Sequence, residues 1–330
     1  MKVIVASLLL LSAISLFAPQ SVSAVTIDWS PVGNPGNAAD PADGDGGTAG
    51  IENFGAVPYA YNIGKYDVTA SQYVEFLNAK DSTGLNSLGL YNSGMSNVTF
   101  GGINFSAGNA NGSKYSAISG RENHPVSDVN WYDAIRFANW LNNGQGNGDT
   151  ESGAYTLLGG TPVPSNGLGI TRNAGATVFL PSENEWYKAA FYDPETSSYF
   201  RYPTSSDIAP TATGPTTTPN SANYDNAVGN LTDVGAYSGT TSPYGAFDMG
   251  GNVYQWNEAL IFGFVRGVRG GWFNSAEGYG LSSSDRVNSF PADSTVLIGF
   301  RVASVVPEPN TFVLAIFAFG MMLWWRMRLR

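Results

Sequence analysis

GAFDMGGNVYQW at residues 245–256, RGVRGGWF at 266–273 and IGFRVAS at 298–304 decide how this chain is read. None of the three places apolar residues at helical spacing, and glycines punctuate each run. They read as short strands joined by turns. Arg266, Arg269, Arg286 and Arg301 lie in the same last third of a chain that has 16 Lys and Arg against 26 Asp and Glu. In so acidic a protein these arginines serve either as structural ion-pair partners or as a grip on an anionic ligand.

Upstream, three helices are marked by their starts. Thr69 with Gln72 forms a capping-box pair, in which each side chain satisfies the other residue's backbone N–H, and Tyr73, Phe76, Leu77 and Ala79 follow. Asn130 precedes Trp131, after which Ala134, Phe137, Ala138 and Leu141 recur at the i, i+3, i+4, i+7 spacing of a buried face. Ser182 with Glu185 opens the third, which carries Trp186, Ala189 and Ala190. Between them, residues 84–119 and 204–222 are rich in turn formers, and no repeat of solenoid or propeller period is present. The mixture predicts an α+β fold in which irregular structure dominates.

The two ends carry addresses. Lys2, the apolar run from Val3 to Phe17, and small residues at Val22 and Ala24 predict a secretory signal peptide over 1–24. At the other end, Pro307-Glu308-Pro309 precedes an apolar run from Thr311 to Trp325 and a tail with Arg326, Arg328 and Arg330. That order resembles the PEP-CTERM sorting signal of Gram-negative bacteria. The resemblance implies Sec export, transient anchoring in the inner membrane, cleavage by an exosortase-type enzyme, and a final place at the cell surface or outside it. The expected division is a signal peptide (1–24), an N-terminal strand and loop (25–50), one domain (51–304) and a sorting segment (305–330).

Without Lys2, Glu308 and the three tail arginines, 12 basic and 25 acidic side chains remain, a net charge near −13. Such a surface repels nucleic acid, whose phosphates need a basic face. With no cysteine in the chain, packing or bound ions must replace disulfides.

The blocks YNIGKYDVTASQYVEFLNA (61–79), HPVSDVNWYDAIRFANWLN (124–142) and FLPSENEWYKAA (179–190), followed by the three C-terminal runs, come in one order along the chain. Together they resemble the formylglycine-generating enzymes and the wider sulfatase-modifying-factor family. The resemblance implies a single α+β domain of the formylglycine-generating type, related to C-type lectins. It also implies two thiols, four and nine residues after the second glycine of the RGG block. Counting from Gly271 places Ser275 and Gly280 there. Neither forms a thiolate, so the family's oxidation is excluded by chemistry. With one histidine and no cysteine, copper, iron and zinc shells are not expected either. His124 reads as a structural histidine rather than a base.

Calcium needs only oxygen. The resemblance assigns one calcium set to Asn223, the Tyr224 carbonyl, Asn226 and the Val228 carbonyl. It assigns a second to Asp248, the Gly251 and Val253 carbonyls, and Gln255, where the family has a glutamate. Asx turns explain the same residues without a cation. Trp131, Trp140, Trp186, Trp256 and Trp272 fall within the blocks and read as core. Tyr244, Phe273 and Tyr279, as exposed rings, and Ser275, Asp285 and Arg286 are the candidates for a ligand-binding groove. Three functions compete: a non-catalytic binding module for peptide, glycan or exopolysaccharide, an enzyme with replaced chemistry in the same groove, and a purely structural envelope component.

Overall fold

A computed structural model describes residues 24–41, 53–276, 280–295 and 297–306. The sorting segment from Pro307 onward, nearly all of the signal peptide, and Tyr279 lie outside the described residues.

All three helices form at the starts the sequence marks: α1 (Ala70–Lys80), α2 (Trp131–Asn142) and α3 (Glu183–Phe191). Each has a complete capping box, including Asn130 with Asp133 on α2, so two end N–H groups per helix are satisfied locally.

The first sheet runs β1 (Trp29–Val32), β2 (Tyr61–Gly64), β14 (Ala303–Val305), β5 (Val178–Phe179), antiparallel throughout. The N-terminal strand is therefore part of the domain rather than a lead to it. The second sheet runs β12 (Val287–Ser289), β11 (Val265–Arg269), β10 (Tyr254–Ile261), β13 (Ile298–Gly299), with β10 and β13 parallel. Three two-stranded ladders complete it: β3 (Ile103–Phe105) with β4 (Tyr115–Ala117), β6 (Tyr192–Asp193) with β7 (Ser198–Tyr199), and β8 (Thr211–Ala212) with β9 (Ser221–Ala222). Long turns join these pieces, as the composition predicts.

The core lies where α1 and α2 meet the sheets. Tyr73, Phe76, Phe137, Trp140 and Phe300 make tilted and edge-on ring contacts at centroid distances of 5.3–6.4 Å. Trp131, Trp186 and Trp256 are also fully buried, and each finds an acceptor for its indole N–H: the Asn257 carbonyl, Gln255 Oε1 and the Val129 carbonyl. Trp272 departs from the expectation and is only half-buried, because its turn runs over the surface.

α3 is tied in by charge. Glu185 is buried, accepts from Ser182 N at its own helix start, and pairs with Arg172 at 2.6 Å. Arg172 also reaches Glu258 on β10 at 2.7 Å, and its guanidinium stacks 3.5 Å from the Phe179 ring centroid. Burial works against the Glu185 charge, but Arg172, the Ser182 N–H and the Tyr59 hydroxyl together hold its carboxyl below the usual range. A carboxylate depressed in this way adds stability above the ordinary value of 4.5, and that stability is lost as pH falls through the folded-state pKa. Glu185→Gln leaves a guanidinium short of one partner and is expected to cost about 3–5 kcal/mol. Ser182→Ala removes one cap and is expected to cost about 1 kcal/mol. Urea unfolding at pH 7 and pH 4 checks both values, with the Glu185→Gln penalty shrinking at the lower pH.

Candidate functional site

Ser275 and Gly280 sit in the crossing that follows β11. Ser275 is buried; its Oγ accepts from Trp272 N at 3.0 Å, and its carbonyl accepts from Asp225 N. Gly280 has φ +83° and donates its N–H to Asp285 Oδ2 at 2.8 Å. An ideal Cβ placed on Gly280 would lie 3.3 Å from Ser275 Oγ and 2.7 Å from Tyr254 Oη. The two positions therefore abut, as a pair of neighbouring thiols requires. What stands there is a hydroxyl already turned inward and a bare backbone. Neither position carries sulfur or another redox group.

The other groove candidates separate. Asp285 belongs to the crossing through Gly280. Phe273 is buried, stacked on Phe100 and edge-on to Trp272, so it offers no exposed ring. Arg286 pairs with Glu183 at 2.6 Å, and Arg269 meets the same carboxylate at 2.8 Å, which makes both structural. Tyr244 donates to Asn34 Oδ1 and stacks on Tyr192, partners that belong to another part of the molecule. Tyr254 and Trp272, both half-buried, are the rings beside Ser275. Sequence reasoning missed Tyr254 because it lies inside a motif whose neighbours are buried.

The two calcium sets come side by side. A Cβ at Gly251 would sit 2.5 Å from the Asn223 carbonyl oxygen, an approach only glycine permits, and Asn252 N donates to that same oxygen. The Asn252 side chain, also missed, bridges Asn223 and Thr232. Asn223 Oδ1 is buried and has no hydrogen-bond partner among the described residues, while Asn226 and Val228 lie in an exposed turn. Among the described residues no three His, Cys, Asp or Glu side chains gather as a metal cluster.

The second set is organised around a guanidinium instead. Gln255 Oε1 accepts from Trp186 Nε1 and from Arg301 Nε, each at 2.7 Å, and its amide N–H donates to the Asp248 carbonyl. Both lone pairs of that oxygen are in use, so Gln255 does not fit a cation-ligand role in this arrangement. Arg301, fully buried, also donates to the Gly64 and Phe247 carbonyls and pairs with Asp67 at 3.0 Å. Burial, with the Asp248 charge nearby, pushes the Asp67 carboxyl up to about 7 against the pull of Arg301. Burial likewise pushes Asp248 up to about 6, although Gly235 N and Arg301 favour its charge. One guanidinium does not offset two carboxylates away from water.

His124 lies 3.6 Å from Asp233, and burial holds its pKa below the ordinary value.

Residues 54–306 match the sequence pattern of the sulfatase-modifying factor enzyme 1-like domain, and the chain belongs to that family. Treponema denticola variable protein 1 aligns with 87% of this chain and 98% of its own, at 21% identity and a TM-score of 0.53. CarF aligns with 86% of this chain and 100% of its own, at 21% identity and a TM-score of 0.55. At such identity the likeness is one of fold. No curated protein matches the chain.

An acid whose pKa is raised by folding stabilises the native state most below its ordinary value, and that contribution is lost as pH climbs through the folded-state pKa. For Asp67 the window runs from 3.8 to about 7. Asp67→Asn is expected to flatten the loss of stability across that window, read from denaturant midpoints at pH 4, 5.5 and 7.

Proposed function

We propose that this chain is an exported surface or matrix protein that uses the sulfatase-modifying-factor fold to bind a neutral glycan, without oxidase chemistry. The observation that carries the reading is the abutment of Ser275 and Gly280, which keeps the geometry of a thiol pair and contains no sulfur. Half-buried Tyr254 and Trp272, with the Asp285 carboxylate close by, supply the ring faces and acceptors that a polyhydroxylated ligand uses. The acidic balance of the chain disfavours anionic polymers. Peptide capture is the second outcome the test distinguishes.

The signal peptide and the Pro307-Glu308-Pro309 segment support export, exosortase-type processing and a final location outside the inner membrane. Among the described residues no helix is long and apolar enough to cross a membrane. Calcium at the first set is supported by the unpartnered Asn223 Oδ1, which would serve as a neutral ligand beside the Tyr224 carbonyl and the Asn226 side chain.

A glycan array is expected to return neutral polysaccharides, with binding lowered at least tenfold in Trp272→Ala and Asp285→Ala. Hits confined to a peptide library would move the reading to peptide capture, and silence on both would reject a binding role. A thiol-bearing sulfatase-type peptide is expected to remain unconverted; formation of its aldehyde would overturn the loss of oxidase chemistry. Chelation is expected to lower the melting temperature of the protein and to leave Asn223→Ala unchanged, and equal melts with and without chelator would remove calcium.

A further inference from the structure

The hairpin joining β10 to β11 ends in a feature the glycan reading does not use. Phe262 and Gly263, its central residues, have φ of +53° and +81°, and Phe264 N closes the turn onto the Ile261 carbonyl. Positive φ at both positions is the signature of a type I′ turn, for which Asn-Gly is the favoured pair. A phenylalanine there is strained, and this one is 61% exposed, so burial in the monomer does not compensate. Phe264 and Phe290 continue the patch at ring distances of 6.3 and 6.1 Å, and Leu260 and Leu168 extend it, all of them exposed. Residues 259–265 contain no charge, in a chain of net charge −10.

Beside this knob is a hole. A cavity of about 160 Å³ opens between Leu168 and Leu260, with Trp131, Ile170, Arg172 and Arg266 among its walls. A cavity of about 150 Å³ admits benzene; this one has the volume for a phenyl ring, between walls that also include the charged side chains of Arg172, Glu258 and Arg266. Leu260 and Arg266 are cross-strand partners on the same hairpin as Phe262, one pair below the tip. The two guanidinium planes, which stack on Phe179 and Trp131, add a cationic surface for an incoming ring.

We propose that the partner for this face is a second copy of the chain, related by a two-fold axis, each copy seating Phe262 in the other's cavity between Leu168 and Leu260. A two-fold contact needs one patch that carries both a projection and its complement, and the knob and hole supply both. The patch is also a face on which two acidic molecules meet without opposing their charges. Exposed apolar patches on monomers reach roughly 300–600 Å², so two such faces together bury roughly 600–1,200 Å², around the lower limit of specific interfaces, about 1,000 Å². The dimer is therefore expected to be weak and concentration-dependent.

Sedimentation equilibrium of the full chain in one nonionic detergent tests it. Wild type is expected to show a reversible monomer–dimer equilibrium. Phe262→Asn removes the knob while giving the turn its favoured residue, and Leu168→Lys puts a charge at the mouth of the hole. Each is expected to raise the dissociation constant at least tenfold, and Phe262→Asn is expected to melt no lower than wild type. A mixture of Phe262→Cys and Leu168→Cys chains is expected to form a mixed disulfide on mild oxidation, with no native thiol to compete. A monomeric wild type, or a Phe262→Asn chain that dimerises like wild type, would overturn the proposal. So would a patch that partitions into phosphatidylcholine vesicles without self-association.

Discussion

Arg301 joins parts of the molecule that no single element connects. Its guanidinium reaches the Gly64 carbonyl at the end of β2, the Phe247 carbonyl ahead of the second sheet, Gln255 on β10, and the buried carboxylate of Asp67. A cation with this burial is tolerated only when most of its donors are satisfied, and its partners come from two distant stretches of chain, residues 64–67 and 247–255. The two sheets, otherwise short and irregular, are held in register around it. Gln255 makes the arrangement work because its oxygen accepts from Trp186 as well, passing the constraint on to α3.

That constraint accounts for how the candidate site is built. Gly251 and Asn252 pack against Asn223, Gly270 and Gly271 turn back over the Met249 carbonyl and Leu281, and the crossing with Ser275 and Gly280 follows directly. The backbone there is fixed by close approaches that exclude side chains. The path of the crossing around Ser275 and Gly280 is thus set by backbone approaches and hydrogen bonds, with no sulfur involved. In this chain the framework is held by arginines, glycines and aromatic packing and uses no cysteine; a fold of this kind does not by itself specify a reaction.

Much of this was legible in the residues themselves. A capping box spans four residues, so Thr69–Gln72 and Ser182–Glu185 announce their helices without help from the rest of the chain. The order of the motifs carried the fold, and counting from Gly271 brought Ser275 and Gly280 to one place. Side-chain partners across long separations were not legible. Tyr244 is close to the site motifs in sequence but pairs with Asn34. Arg286 answers Glu183, which stands on α3. Phe273 and Trp272 are neighbours with opposite fates, one buried and one half-exposed, because a turn sends adjacent side chains to different sides. The strain at Phe262 has no mark in the sequence, since only the backbone angle betrays it.

The first sheet places β14, residues 303–305, between β2 and β5. A strand from the last part of the chain thus completes a ladder begun by residues near its start, and no local pairing can stand in for it. Contacts so distant along the polypeptide form slowly and only after nearly everything between them has been synthesised. The first sheet can accordingly close only after residues 303–305 are available, so its completion is a late event in the making of the chain.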